Sequence, residues 1–177
     1  MDAHGASLSL PAELIHAVES QSAVLFLGAA ASFGARHPRG DKIPNADRLR
    51  QLLSDRFLDG EEGSKPLAAV AELAVNESDL VKVQQFVREL LLPFQPANFH
   101  LLVPHFRWHA IVTTNYDLII ERAYEPENAP LQQLVPFVKD GQHVETQMKK
   151  AVAGVQYLKL HGCIDHYTDR EIGQAIA

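Results

Sequence analysis

AVLFLGAAAS, Ala23 to Ser32, is the stretch that decides the fold. The apolar run Ala23 to Leu27 is bounded by Ser22 and Gly28. It reads as a short strand buried on both faces, as strands of a parallel sheet are. Gly28 permits a sharp turn, and Ala29, Ala30 and Ala31 carry the chain toward a helix start. A strand followed by small residues and a helix lets backbone N–H groups approach an anion, with the helix dipole favouring it. The alanines keep the wall low and Ser32 offers a hydroxyl. The same small residues would equally serve close packing of a helix on a sheet.

Two further strings sit at the ends of strand-like runs. Trp108 to Thr113 (WHAIVT) leads into TTNYD, Thr113 to Asp117, and Val155 to Leu160 (VQYLKL) leads into KLHG, Lys159 to Gly162. Ligands of open parallel sheets collect at the carboxyl ends of the strands, where all three strings lie. The amide of Asn115 both donates and accepts, so it can orient a water or grip a sugar hydroxyl. Asp117 can accept from an amide N–H. Alternatively, Asp117 caps a helix beginning at Leu118 and Asn115 forms a turn. His161 is a candidate general base, because histidine exchanges protons near neutral pH. The other reading is a structural histidine at a strand end. Gly162 beside it indicates a tight turn or close backbone approach. His105 and His109 are four apart, but no acid or cysteine completes a zinc set there, and no metal site is expected.

Between the first two strands the pattern is helical. Gly34 to Pro44 (GARHPRGDKIP) reads as a loop. From Asn45 to Pro104, apolar residues recur at helical spacing, as at Leu49, Leu52 and Leu53 and again at Val83, Phe86, Val87, Leu90 and Leu91. Asn45 or Asp47 caps a helix through Leu58; Pro66 to Val75 and Ser78 to Leu92 follow, the last capped by Ser78, and Asn98 to Val103 starts another. The spacing is too long for a minimal crossover, so an inserted helical module over about residues 45–104 is expected. Ahead of the first strand, Pro11 opens a helix with Leu14, Ile15 and Val18 on one face. Asp117 to Tyr124 reads as a short helix, Leu131 to Val138 as a third strand interrupted by Pro136, and Gln142 to Val152 as a polar helix before the fourth strand. Strands alternating with helices specify an α/β parallel sheet within a single domain, residues 1–177. Open sheets that bind dinucleotides have about six strands. The segment after Gly162 is too short to add two, so the sheet is expected to be incomplete at the C-terminus, the chain being a fragment, a split subunit or unusually small.

Composition narrows the partners. The 177 residues carry a formal charge of -6, with 46% hydrophobic and 21% charged residues, which suits a globular domain. No block of Lys and Arg tracks a phosphate backbone, so direct nucleic-acid binding is not expected. The single cysteine, Cys163, can form neither an internal disulfide nor a four-cysteine zinc knot. Met1 to Ser9 lacks the basic-then-apolar pattern of a secretory signal, and no apolar run approaches the roughly 20 residues that span a bilayer. A cytoplasmic location without a membrane anchor is expected.

In order and spacing, GAAAS, TTNYD and LHG resemble the sirtuin family, whose pattern is GAGxS, then TQNxD, then a strand ending in HG. The resemblance spans about Ala23 to Gly162, and TTNYD is the form of the bacterial sirtuin-like branch. It implies a Rossmann-like NAD+ site with an inserted helical module, in which Gly28, Ala29, Ala30 and Ser32 form the nucleotide-binding turn. Thr114, Asn115 and Asp117 would hold the nicotinamide ribose and carboxamide, and His161 would be the catalytic histidine beside the ribose hydroxyls. The sequence departs from the family at three places. Ala30 replaces the central glycine of GAGxS. Lys42 to Asp47 (KIPNAD) replaces GIPDFR, with Ala46 and Asp47 at its Phe and Arg positions. No zinc cysteines follow His161, so zinc is not expected.

The first two departures weigh against protein deacylation. The resemblance implies an NAD+ hydrolase that depletes NAD+ in bacterial antiphage defence, with Asn115 and His161 catalytic. It further implies a homo-oligomer or a regulatory partner, such as an Argonaute-like protein, a HerA-like ATPase or another sensor. An NAD-dependent deacylase, a non-catalytic module that binds NAD or ADP-ribose, and a purely structural oligomerisation domain are the alternatives.

Overall fold

The computed structural model describes residues 10–138 and 144–166. Strands β1 (Val24–Leu27), β2 (Ala110–Thr113), β3 (Gln133–Phe137) and β4 (Gly154–Lys159) form one sheet in the order β1-β2-β4-β3. All three pairings are parallel. This is the α/β parallel sheet with helices that the alternating pattern specifies, and it is consistent with the Rossmann-like fold that the resemblance implies.

Register explains why three strings distant in sequence share one place. Leu27 lies opposite Thr113, and Thr113 lies opposite Lys159. The strands preceding GAAAS, TTNYD and KLHG therefore stop at the same level, each roughly 4.8 Å from the next. Hydrogen bonds continue beyond the last residues. Thr114 N–H donates to Leu27 O (3.2 Å) and Leu160 N–H to Thr113 O (2.9 Å). The Thr113 hydroxyl also donates to Leu27 O, at 3.0 Å.

The helices α2 (Ala46–Phe57), α3 (Leu67–Glu77) and α4 (Leu80–Leu91) and a 3-10 turn (His100–His105) fill the chain between β1 and β2. The Asn45 side chain accepts from Arg48 N–H at 2.8 Å and caps α2. At α4 the expected cap moves by one residue. Asp79, in extended backbone, accepts from Lys82 N–H, whereas the Ser78 hydroxyl donates back to Ala74 O at the end of α3. The carboxylate is the better acceptor for orphan amides at a helix start.

Three apolar clusters result, the smallest formed by Ala35, Phe94 and Ile119. Leu49, Leu53, Val70, Ala74, Val83 and Val87 pack the helices together. Ile111, Ile120, Tyr124, Val155 and Tyr157 pack the sheet against α5 (Ile119–Ala123). The segment after β2 joins the two larger ones, because Tyr116 and Leu118 belong to the helical cluster and Ile120 and Tyr124 to the sheet cluster.

Some expectations shift. The strand Ala23 to Leu27, expected to be buried on both faces, is the edge of the sheet; Val24 is 54% and Phe26 63% exposed, while Leu25 and Leu27 face the core. The helix α1 (Ala12–Glu19) forms as expected but buries none of its residues, and Leu14 and Ile15 remain exposed. Pro136 sits inside β3 because that strand is the other edge, where a missing N–H leaves no partner short. The polar helix α6 covers Val144–Lys150; its expected start, Gln142, and the segment Met1 to Ser9 lie outside the described residues. Among the described residues no helix is long and apolar enough to cross a membrane.

Leu53 has no exposed surface at the centre of the helical cluster. Leu53→Ala is expected to lower the unfolding free energy by about 2–5 kcal/mol in urea titration. Phe26→Ser on the open face of β1 should change it by no more than about 0.5 kcal/mol.

Candidate active site

The three strings are tied by side chains as well as by register. Ser32, buried at the end of the first string, donates to Asp117 Oδ2 at 2.5 Å. Asn115 Nδ2 donates to Ser32 Oγ (2.8 Å) and to Gly28 O (3.1 Å). The backbone N–H of Asn115 donates to Thr113 Oγ1, and Asp117 Oδ1 accepts from Ile119 N–H. The structural reading of TTNYD is realised: Asp117 receives a helix-start amide, and Asn115 is left at a cavity wall. With both amide protons of Asn115 committed to the fold, its Oδ1 remains as an acceptor directed by a fixed frame.

The turn itself differs from expectation in one respect. Gly28 has φ -98, which any residue adopts, so glycine is not needed for conformational freedom there. Its use is space: a Cβ at Gly28 would meet nothing within 4 Å, and Ala29 and Ala30 are exposed beside it. Ala29–Ser32 is a short 3-10 turn, and Ala30 has no positive φ, so its methyl introduces no strain. Gly162 is the reverse case. At φ 86 it occupies the left-handed region that glycine accepts, closing a tight turn as its N–H donates to Lys159 O.

A cavity of about 210 Å³ lies over this frame. Ala29, Ser32, Thr114, Asn115, Asp117 and His161 line one part of it, and Ile43, Pro44, Asn45 and Ala46 of the KIPNAD segment line another. Leu49, Leu67 and Leu91 bring apolar surface from the helical module. Of the eight residues expected at the site, Gly28 and Ala30 do not line this cavity; Gly28 enters through its carbonyl, and Ala30 sits in the exposed turn. His161 is exposed at the rim, its ring centroid 6.3 Å from that of Tyr116. Its imidazole is therefore free to meet a ligand. The volume is below the roughly 300 Å³ at which pockets for whole small molecules begin. A larger ligand would place only part of itself here.

Supporting residues escaped the sequence reading. His100, from the helical insertion, accepts Ala97 N–H at Nδ1, so the proton sits on Nε2 and is donated to Ala31 O at 2.6 Å. That bond anchors the GAAAS turn from outside the sheet. Lys159 has a fully buried side chain whose ammonium reaches Glu121 Oε1 (2.6 Å) and the carbonyls of Tyr116 and Asp117. The only hint in sequence was a lysine at an inward position of a buried strand, a residue type almost never buried without a partner.

Charges behind the site are coupled. Burial alone would lower the Lys159 ammonium, but the Glu121 carboxylate beside it prevails and the net direction is upward. Burial likewise raises Glu121, against the pull of Lys159. Burial pushes the phenols of Tyr116 and Tyr157 and the thiol of Cys163 upward as well. Among the described residues no group of three His, Cys, Asp or Glu side chains could hold a metal ion.

Residues 109–173 match a family model described as a SIR2-like domain. The match contains TTNYD and KLHG and starts after the GAAAS turn. Comparison with curated proteins finds no match.

Ser32→Ala would remove one partner from Asp117 Oδ2 and one from Asn115 Nδ2. It is expected to destabilise the protein by about 1–3 kcal/mol in denaturant titration. A second expectation concerns alkali. The buried phenols and thiol keep their protons in the fold, whereas the unfolded chain releases them near the ordinary values of 9.0 for cysteine and 10.0 for tyrosine. The folded state then binds more protons, so stability falls as pH rises through that window. The melting temperature should be lower at pH 10 than at pH 8, and Tyr157→Phe should reduce the difference.

Proposed function

We propose that this chain, whose residues 109–173 match a SIR2-like domain model, is an NAD+ hydrolase of the sirtuin-like family. The reaction is NAD+ and water giving nicotinamide, ADP-ribose and a proton. The bond between the nicotinamide nitrogen and the ribose breaks with its electron pair moving to the pyridinium ring. The ribose carbon acquires oxocarbenium character, and water adds to it and loses a proton.

One observation carries the reading: Asn115 and His161 meet at a single cavity sized for the nicotinamide and its ribose. Asn115, held through its amide protons, turns Oδ1 toward bound water and fixes its orientation. His161 at the rim accepts the proton from water or polarises a ribose hydroxyl. Asp117 and Thr114 contribute polar groups for the carboxamide and ribose. The apolar walls from Ile43, Leu49, Leu67 and Leu91 exclude bulk solvent, which strengthens dipoles aimed at the developing charge. The open space at Gly28 and the low wall of Ala29 and Ala30 leave room for the rest of the dinucleotide along the turn. The residues present thus fit NAD+ as substrate.

The KIPNAD wall supports hydrolysis over acyl transfer. Ala46 and Asp47 stand where the deacylase pattern places Phe and Arg, and Asp47 points its charge into a surface ion pair with Arg50 at 2.9 Å. By the same family resemblance, the hydrolase is an NAD-depleting effector of bacterial antiphage defence, acting in the cytoplasm. A homo-oligomer or a sensor partner, such as an Argonaute-like protein or a HerA-like ATPase, would release its activity.

Nicotinamide release from NAD+ by the full-length protein, with its oligomer or partner and trigger present, tests the reading. His161→Ala is expected to lower the rate by about 10²–10⁴-fold, and Asn115→Ala by about 10²–10³-fold, with the melting temperature recorded for each. Turnover that depends on an acetyl-lysine peptide would identify a deacylase instead. Wild-type rates retained by both variants would refute the site assignment.

A further inference from the structure

The segment KLHGCI, Lys159 to Ile164, returns twice to the string TTNYD. At its start, the Lys159 ammonium donates to Tyr116 O at 3.4 Å and to Asp117 O, with Glu121 Oε1 at 2.6 Å as its third acceptor. At its end, Ile164 N–H donates to the same Tyr116 O at 3.0 Å. Between the two grips, Gly162 N–H donates to Lys159 O and closes the turn, and Cys163 Sγ donates to Glu121 Oε1 at 3.8 Å. His161 therefore sits on a loop clamped to TTNYD from both sides.

The clamp matters because the histidine has little else to hold it. Among the described residues the His161 imidazole makes no hydrogen bond, and its ring lies beside that of Tyr116 with centroids 6.3 Å apart. Its place at the cavity is thus inherited from the backbone of its turn. Asn115 and Asp117 are held on the other side by Ser32. Tyr116, between them in sequence, is the joint through which the two halves of the site are fixed to each other.

Packing alone does not call for a lysine here. Its side chain has no exposed surface, and a buried ammonium must find acceptors for its three protons. A buried ion pair adds little net stability over apolar residues of the same volume. What the ammonium supplies is direction, since it fixes two successive carbonyls of TTNYD against the strand that carries His161. We propose that Lys159 is a positioning residue, which sets His161 against Asn115 across the cavity. The catalytic consequence rests on the NAD+ hydrolase reading, and the structural one rests on the clamp alone.

Three variants of the full-length protein, with its oligomer or partner and trigger present, test the proposal. Glu121→Gln keeps an oxygen acceptor for Lys159 and so keeps the clamp. Lys159→Met removes the clamp and leaves Glu121 unpaired. The double variant Lys159→Met, Glu121→Gln removes it with no buried carboxylate left behind, and should regain melting temperature that Lys159→Met alone loses. In nicotinamide release, kcat of both lysine variants should fall by about 10–100-fold with KM little changed, as misplaced reacting groups cost rate. Glu121→Gln should stay near the wild-type rate. The nuclear Overhauser contact between the rings of Tyr116 and His161 should be present in wild type and in Glu121→Gln and lost in the double variant. An unchanged kcat or an unchanged ring contact in the double variant overturns the proposal, as does a kcat that follows the melting temperature across all three. Should the wild type release no nicotinamide, the hydrolase reading fails and the ring contact alone decides the clamp.

Discussion

Everything at the carboxyl end of the sheet depends on the hydrogen-bonded knot of Ser32, Asp117 and Asn115. Ser32 is a donor to Asp117 and an acceptor from Asn115, so a single hydroxyl satisfies a buried carboxylate and orients an amide. Asn115 closes the knot onto the Gly28 carbonyl. Two chain segments brought together by parallel strand pairing are thereby locked side chain to side chain. Such a network is demanding, because each member lost leaves another buried polar group unpaired. Its return is a fixed frame with one acceptor, Asn115 Oδ1, left for a ligand.

The knot is braced on two sides. From the sheet, Lys159 reaches back to the carbonyls of Tyr116 and Asp117 and is held by Glu121 of α5. From the helical insertion, His100 donates to Ala31 O and holds the GAAAS turn. The insertion also supplies the apolar side of the cavity through Leu49, Leu67 and Leu91. It therefore completes the site as well as separating β1 from β2. Burial pushes the Glu121 carboxyl, the phenols of Tyr116 and Tyr157 and the Cys163 thiol toward their protonated forms, which is consistent with a water-poor backing to the frame.

Much of this was legible in sequence because the relevant signals are local. AVLFL, WHAIVT and VQYLKL announce strands by apolar runs, and Asn45 announces a helix by its capping chemistry. Gly162 announced a tight turn, and its backbone is left-handed. Other features were not legible because they depend on what stands opposite. A run of apolar residues cannot say whether both its faces are covered, so Phe26 looked as buried as Leu27. Ser78 and Asp79 are both capping residues, and only the backbone direction at the helix start chose between them. Lys159 and Glu121 lie on separate elements, and no spacing rule pairs them. Gly28 was read as permitting a sharp turn, whereas its φ is ordinary and the space beside it is open.

The sequence by itself determined the α/β class, the strand ends where the candidate site lies, and the candidate pair Asn115 and His161. Periodicity, turn residues and short strings encode those properties within a few neighbours. Only the tertiary structure decided that β1 is an edge, that KIPNAD and the helical module wall the cavity, and that Lys159 and Ile164 share the carbonyl of Tyr116. The reason is that burial, hydrogen-bond partnership and cavity shape belong to pairs of surfaces. Those surfaces meet only when strand register aligns Leu27, Thr113 and Lys159 across the sheet.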